Sequence, residues 1–285
     1  MDILCQTNDI DILYSFYPSI EVKVPCKKIL TIHDLIPLMD NGWFRKEIYD
    51  RFDGPIRKSA EEADRIIAMS EFTKKDIIKY YGIDENKIEV IYSGIQPAIL
   101  GKDFNIDIHR KYNIKDRYIL SVCTMEPRKN LKGLIDAFLN YKSRHQKSEL
   151  QLVLTGKAGW NSEIVEYIQK CQENHNDIIL TGFVSSEDLS VLTRKALAIA
   201  YVSFCEGFGL PILEGMAAGK AVISSNTSSM PEVGGDAVAY CNPCDMESII
   251  DAIERVVDNE EYRKELEERA LKRAGLFSYE KTAQQ

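Results

Sequence analysis

The sequence predicts an α/β protein built from two doubly wound, Rossmann-like domains, the first of them incomplete. Three observations carry that expectation. Beyond residue 104, apolar runs alternate with helical periodicity six times, the pattern of a parallel sheet with crossover helices. One of these units, Leu197 to Gly219, reads strand, glycine loop, helix, which is where a doubly wound sheet places its ligand. The stretch ahead of them is short. At ~30 residues or more for each βαβ unit, it holds about three strands where a full domain has about six.

Taken in order, 10–14 and 28–32 read as strands, and the second ends in His33-Asp34-Leu35-Ile36-Pro37. A carboxyl strand end is where such sheets place functional side chains. Residues 43–63 have helical spacing interrupted at Gly54-Pro55. A strand over 65–69 follows, then Ser70 as the cap of a helix with Phe72, Ile77 and Ile78 on one face and Gly82 just past its end. Residues 87–92 form the last strand of this part. Residues 97–104 carry Pro and Gly without periodicity and read as a linker, so the first domain is set at 1–98 and the second at 99–276.

In the second domain, strands over 118–123, 150–155, 178–181 and 197–202 lead into helices from Leu131, Ser162, Ser186 and Pro211. A strand over 221–224 runs into a loop, and one over 237–240 into a helix from Asp245. Residues 260–276 form a charged helix, and 277–285 open another.

Composition is that of an ordinary soluble protein, with 45% apolar and 28% charged residues. The net charge of −8 is evenly spread, with 13 basic against 17 acidic residues up to Ala98 and 23 against 27 beyond it. No basic stripe points to nucleic acid. No apolar run approaches the ~20 residues of a membrane span, and Met1-Asp2 does not open a signal peptide. Seven scattered cysteines suit free thiols in a reducing cytosol, and Cys241-Asn242-Pro243-Cys244 reads as a turn.

The chemistry gathers around 204–219, which reads F-C-E-G-F-G-L-P-I-L-E-G-M-A-A-G. Gly207, Gly209 and Pro211 forbid one continuous helix between Glu206 and Glu214, so the loop folds back and both carboxylates face one pocket. The glycines admit close backbone approach, and the helix N-terminus suits phosphate. Two acids at fixed spacing are a weak signal alone, since Glu214 also complements a helix dipole and Glu206 also suits a solvated loop. A second cluster, Thr124-Met125-Glu126-Pro127-Arg128-Lys129-Asn130, follows the first strand of the second domain. The D-x-D at Asp9-Ile10-Asp11 lies in the first strand region and reads as structural. Arg128, Lys129 and the helix N-terminus are the fixed positive groups the sequence offers to an anion, and no metal site or cofactor is called for.

The string from Ser203 to Ala237 resembles, nearly residue for residue, the donor-site signature of retaining GT-B glycosyltransferases of family 4. H-D-L-I-P at 33–37 and A-D-R-I-I-A-M-S-E-F-T-K-K-D-I at 63–77 resemble the first domain of the same family. The resemblance implies two Rossmann-like domains facing a cleft, with 277–285 opening the closing crossover helix. By it Lys129 binds the donor diphosphate. Thr124 stands where the family often has a second cation, a duty then left to Arg128. Glu214 takes the ribose hydroxyls. Glu206 lies by the transferred sugar, and the backbone of Gly207, Phe208, Gly209 and Leu210 holds sugar or phosphate oxygens. Gly156 is a backbone contact to phosphate, Val184 one to the base, and His33 positions acceptor or donor sugar.

The activity so implied is retaining, metal-independent transfer of a hexose from a nucleotide-diphosphate sugar, GDP-mannose by general likeness, to a glycan or lipid-linked acceptor in cell-surface polysaccharide synthesis. The rival readings are a nucleotide-sugar epimerase of the same fold and a non-catalytic or split-enzyme binding subunit. The expected location is cytoplasmic, with Lys74, Lys75 and Lys79 on a face suited to peripheral contact with anionic lipid. The short first domain departs from the family and would lack its first strand and glycine loop. A fragment, a mis-set start or a separate N-terminal partner chain each account for that, and donor binding with poor transfer is the expectation.

Overall fold

A computed structural model describes residues 9–20, 24–39, 42–44, 46–95, 104–146, 148–159 and 162–285. The chain divides into two compact units. One comprises Met1–Ser93 with Glu206–Phe208 and Gln285, the other Gly94–Cys205 with Gly209–Gln284. The expected linker, 97–104, falls almost wholly outside the described residues.

The first unit holds a parallel sheet of four strands in chain order: β1 (Ile12–Ser15), β2 (Lys27–Ile32), β3 (Arg65–Ala68) and β4 (Ile88–Val90). These are the four strands read at 10–14, 28–32, 65–69 and 87–92, one more than the length-based figure of about three. The estimate spent a full crossover on every strand, whereas β1 and β2 are only eleven residues apart. Register runs from Ile12 beside Lys27 and Ile29 beside Arg65 to Ile66 beside Ile88. Leu30, Ile32 and Ile66 are fully buried against Ile56, Ala60 and Ile77.

Helix α1 (Lys46–Glu62) runs unbroken through Pro55, against the expected interruption. Proline removes one backbone bond and crowds the carbonyl four residues back. Burial of Ile56 and Ala60 holds the helix together across it, and the Ser59 hydroxyl donates to the Pro55 carbonyl at 2.8 Å. Helix α2 (Glu71–Tyr81) begins and ends as expected. The Ser70 hydroxyl accepts the Thr73 amide, and Gly82 takes a left-handed φ of 67°.

The second unit opens with a short helix, α3 (Ile108–Tyr112), capped by Asp107. Strands β5 (Tyr118–Val122), β6 (Gln151–Thr155), β7 (Ile178–Gly182), β8 (Ala198–Tyr201), β9 (Ala221–Ser225) and β10 (Val238–Cys241) follow. They form one parallel sheet in the order β10-β9-β8-β5-β6-β7. That is the doubly wound order, and its direction reverses between β5 and β8. Strands β6, β8 and β9 are buried along their whole length, as parallel strands covered on both faces must be.

The crossovers are α4 (Leu131–Arg144), α5 (Ser162–Asn174), α6 (Ser186–Lys195), α7 (Leu210–Ala217) and α8 (Met230–Gly234), and α9 (Met246–Asp258) follows the last strand. Helices α10 (Glu260–Ala274) and α11 (Tyr279–Gln284) close the chain. Helix α8 replaces the loop expected after β9; at five residues it is too short to show a period. Among the described residues no helix is long and apolar enough to cross a membrane.

Candidate active site

The loops leaving β5 and β8 flank the point where strand order reverses, the place a doubly wound sheet offers a ligand. The β8 loop ends at Gly209, whose φ of 108° is left-handed and therefore suits glycine. Gly209 caps α7, with Leu210 and Pro211 as its first residues. The Gly209 carbonyl receives the amides of Ile212 and Leu213, at 3.0 and 3.5 Å. Pro211 has no amide hydrogen, and among the described residues the Gly209 and Leu210 amides have no acceptor. These two donors head an eight-residue helix, where an anion is favoured.

Glu214 lies one turn further on. Its carboxylate is half-buried, and among the described residues it makes no hydrogen bond or ion pair. Burial holds its pKa above the usual carboxylate range. An acceptor group desolvated without an internal partner is one that a ligand would satisfy.

Across the switch point, Pro127–Lys129 form a short 3₁₀ turn after β5. The Lys129 ammonium donates to the Tyr201 hydroxyl at 2.6 Å, at the end of β8. Tyr201 is 3% exposed and was not singled out in the sequence; its only signal was its place as the last strand residue. Arg128 already has partners within the protein. Its guanidinium donates to the Cys205 carbonyl at 3.2 Å, and its Nε stands 3.4 Å from a Glu126 carboxylate oxygen. The Phe204 amide donates back to the Arg128 carbonyl at 2.8 Å. Arg128 thus stitches the two loops together, and a phosphate would have to compete with those contacts.

Gly156 follows β6. Its amide donates to the Gly182 carbonyl at 3.0 Å, which takes it away from any phosphate. It is glycine because a Cβ there would lie 1.9 Å from the Cys123 carbonyl oxygen, at a φ of 144°. Val184 is buried just beyond β7, beside Phe183, which is 71% exposed with the Lys157 ammonium 4.9 Å from its ring centre.

The remaining expected residues gather in the first unit. His33 is exposed at the end of β2, and its Nε2–H donates to the Phe16 carbonyl at 3.0 Å, leaving Nδ1 as the acceptor of the neutral ring. Glu206, 6% exposed, belongs to this unit with Gly207 and Phe208. The Gly207 carbonyl accepts the Ser70 hydroxyl at 2.7 Å, and Thr73 Oγ1 lies 3.2 Å from both the Gly207 and His33 carbonyls. A Cβ on Gly207 would come within 2.4 Å of the His33 oxygen. Ser70, the cap of α2, and Thr73 in its first turn thus also seat the loop that carries Glu206.

Residues 104–273 match the family model of the glycosyl transferases group 1. The chain belongs to that family. Residues 3–98 match the model of Glycosyltransferase Family 4. Among similar proteins, the serotype-specific mannosyltransferase WbdA of Escherichia coli is 32% identical over 91% of this chain and 33% of its own length. The O-antigen chain mannosyltransferase B of the same species is 29% identical over 89% and 67%. The chain thus spans about a third of the first relative's length. In fold, the group 1 chain matches the Anabaena HepE structure, solved with UDP and glucose, with a TM-score of 0.81 at 16% identity over 99% of this chain and 78% of that one. A glycosyltransferase from Rickettsia africae gives 0.77 at 20% identity over 99% and 76%. Both units are therefore the Rossmann-like halves of a GT-B fold.

Proposed function

We propose that the chain transfers a hexose, mannose from GDP-mannose, with retention and without a divalent metal, to a glycan or lipid-linked acceptor in cell-surface polysaccharide synthesis. The observation that carries the reading is Glu214, a half-buried carboxylate that has no partner among the described residues, one turn inside a helix whose first amides have no acceptor among them either. A ribose diol offers two O–H donors to such a carboxylate. The Gly209 and Leu210 amides and the Lys129 ammonium take the diphosphate, supplying as fixed charge what a metal supplies elsewhere. Glu206 stands by the transferred sugar and His33 by a reacting hydroxyl. The leaving phosphate accepts the acceptor's proton as the new bond forms on the face it vacates, which retains configuration. Mannosyltransferases among the relatives support mannose. We place the reaction on the cytoplasmic side, where the six described thiols stay reduced, with the α2 lysines toward the membrane surface.

Calorimetry with GDP, UDP and dTDP, followed by NMR of the product anomer with and without excess EDTA, tests this. GDP is expected to bind tightest and EDTA to leave the rate unchanged. Absence of any nucleotide binding would sink the donor site, an inverted anomer the stereochemistry, and loss of activity restored by magnesium the fixed-cation argument.

A further inference from the structure

The first unit contains a cavity of about 590 Å3 whose lining is not explained by the donor site. One wall is a face of α1. Ile48, Phe52 and Ile56 fall at successive helical turns, and Arg51 and Pro55 share that face. The facing side carries Tyr17, which is 76% exposed, with Ser19, His33 and Asp34.

Arg51 is the anomaly. Arg51 is an exposed guanidinium beside the apolar residues of this helical face, open to an anion from solution, and among the described residues it makes no hydrogen bond or ion pair. The unit's other described arginines are engaged: Arg57 with Asp53 and the Tyr80 carbonyl, Arg65 with the Asn86 carbonyl. Asp34 does not fill the vacancy as a free counter-charge, since its Oδ1 accepts the Ile36 amide at 3.1 Å.

We infer that this cavity binds an acidic sugar, a pyranose bearing a carboxylate or phosphate, as the acceptor, with Arg51 as the specificity-determining residue. The inference rests on the transferase reading above. A guanidinium fork matches either anion bidentately, and does so best beside apolar surface that keeps water away. The Tyr17 ring offers a π-face to the polarised C–H groups of a sugar, and Ile48 and Phe52 give the ring an apolar floor. His33, at the cavity edge, presents Nδ1 as an acceptor for a sugar hydroxyl.

Calorimetry on the full chain with methyl α-mannoside, methyl mannuronoside, mannose 6-phosphate and inorganic phosphate reads the cavity directly. Both acidic sugars should bind about tenfold or more tighter than the neutral one, and tighter than phosphate alone. The stronger of the two identifies the anion. Arg51→Ala should bring the acidic sugars down to the neutral level, Arg51→Lys should keep part of the preference, and Tyr17→Ala should weaken all three sugars but not phosphate. Arg51 is exposed, so a matching thermal midpoint confirms an intact fold for its variants. Equal affinities for neutral and acidic sugars, no binding of either acidic sugar, or an unchanged preference in Arg51→Ala each overturn the inference. GDP affinity measured on the same samples should not move in Arg51→Ala. Loss of nucleotide binding by the unaltered chain would count against the donor reading and leave the sugar result standing by itself.

Discussion

Replacing Glu214 by glutamine separates a ligand-binding carboxylate from a structural one, because the two roles predict opposite effects on stability. The native carboxylate is half-buried, has no hydrogen-bond partner among the described residues and has its pKa raised by burial. A group whose folded pKa is raised stabilises the fold while protonated, and that contribution is lost as pH rises through the folded value. At neutral pH the ionised form is therefore a cost. The amide is nearly isosteric and neutral, so Glu214→Gln should leave the ligand-free protein as stable or more stable at pH 7.5, and flatten its stability between pH 7.5 and 5. Binding should go the other way. Two charge-assisted hydrogen bonds to a ribose diol become one neutral bond and a misplaced donor. That costs roughly 1.5–3 kcal/mol, or about 10- to 150-fold in nucleotide affinity. Thermal melts and GDP calorimetry on the same preparation decide it. A destabilised variant that binds GDP normally would refute the ribose assignment and make Glu214 a structural residue.

Other outcomes follow from the same coordinates. Gly156→Ala should lower stability by about 2 kcal/mol or more, because the new methyl meets the Cys123 carbonyl and the backbone keeps a strained φ; a thermal midpoint within error of the parent would contradict that packing. Lys129→Ala should weaken nucleoside diphosphate binding by roughly 1.5–3 kcal/mol and nucleoside binding hardly at all. Tyr201→Phe should show the same selectivity with a smaller effect, since it removes only the hydroxyl that anchors the ammonium. Equal losses for nucleoside and diphosphate would refute the assignment. Asp76 is 7% exposed on α2, and burial raises its pKa to about 6. Its protonated form is the stable one, so the melting midpoint should rise as pH falls from 7.5 toward 5. Asp76→Asn should be the more stable protein at pH 7.5 and reduce that slope, independently of the Glu214 contribution; an unchanged slope would refute the assignment to Asp76.

The second unit was legible because its signals agree with one another. Apolar runs such as Leu152–Leu154 have little choice but a covered parallel strand, and the helices read from Ser186 and Asp245 start at caps, Ser185 and Asp245, that the structure shows bonded. What escaped was set by tertiary context. Pro55 reads as a breaker because local chemistry says so, and only the burial of its neighbours overrules it. Gly156 and the loop glycines look alike in a string of letters. One is glycine because a carbonyl presses on it, another because its φ is left-handed. Ser70 and Thr73 announce a cap, and nothing nearby in sequence says that they also meet the Gly207 carbonyl, more than a hundred residues away. Arg51 sat unremarked in a helix because one arginine on an amphipathic face is common, and its lack of a partner is a property of space.

The adjacent pair Arg128-Lys129 shows why residue type assigns roles that position alone does not. Both stand in a loop where a diphosphate is expected, and sequence alone treats them as two cations of one cluster. A guanidinium is a planar, rigid fork, suited to reaching a carbonyl and a carboxylate at once, and Arg128 does this with Cys205 and Glu126. An ammonium is a compact charge on a flexible stem, and the Lys129 ammonium reaches the Tyr201 hydroxyl. The first suits a fixed tie, and the second, on the proposed donor reading, a charge that follows phosphate as it leaves. Because Arg128 joins the β5 loop to the loop ending at Gly209, Lys129 and the open amides of α7 keep a fixed spacing before any ligand arrives. Electrostatic stabilisation of a leaving group depends on that preorganisation more than on the number of charges present.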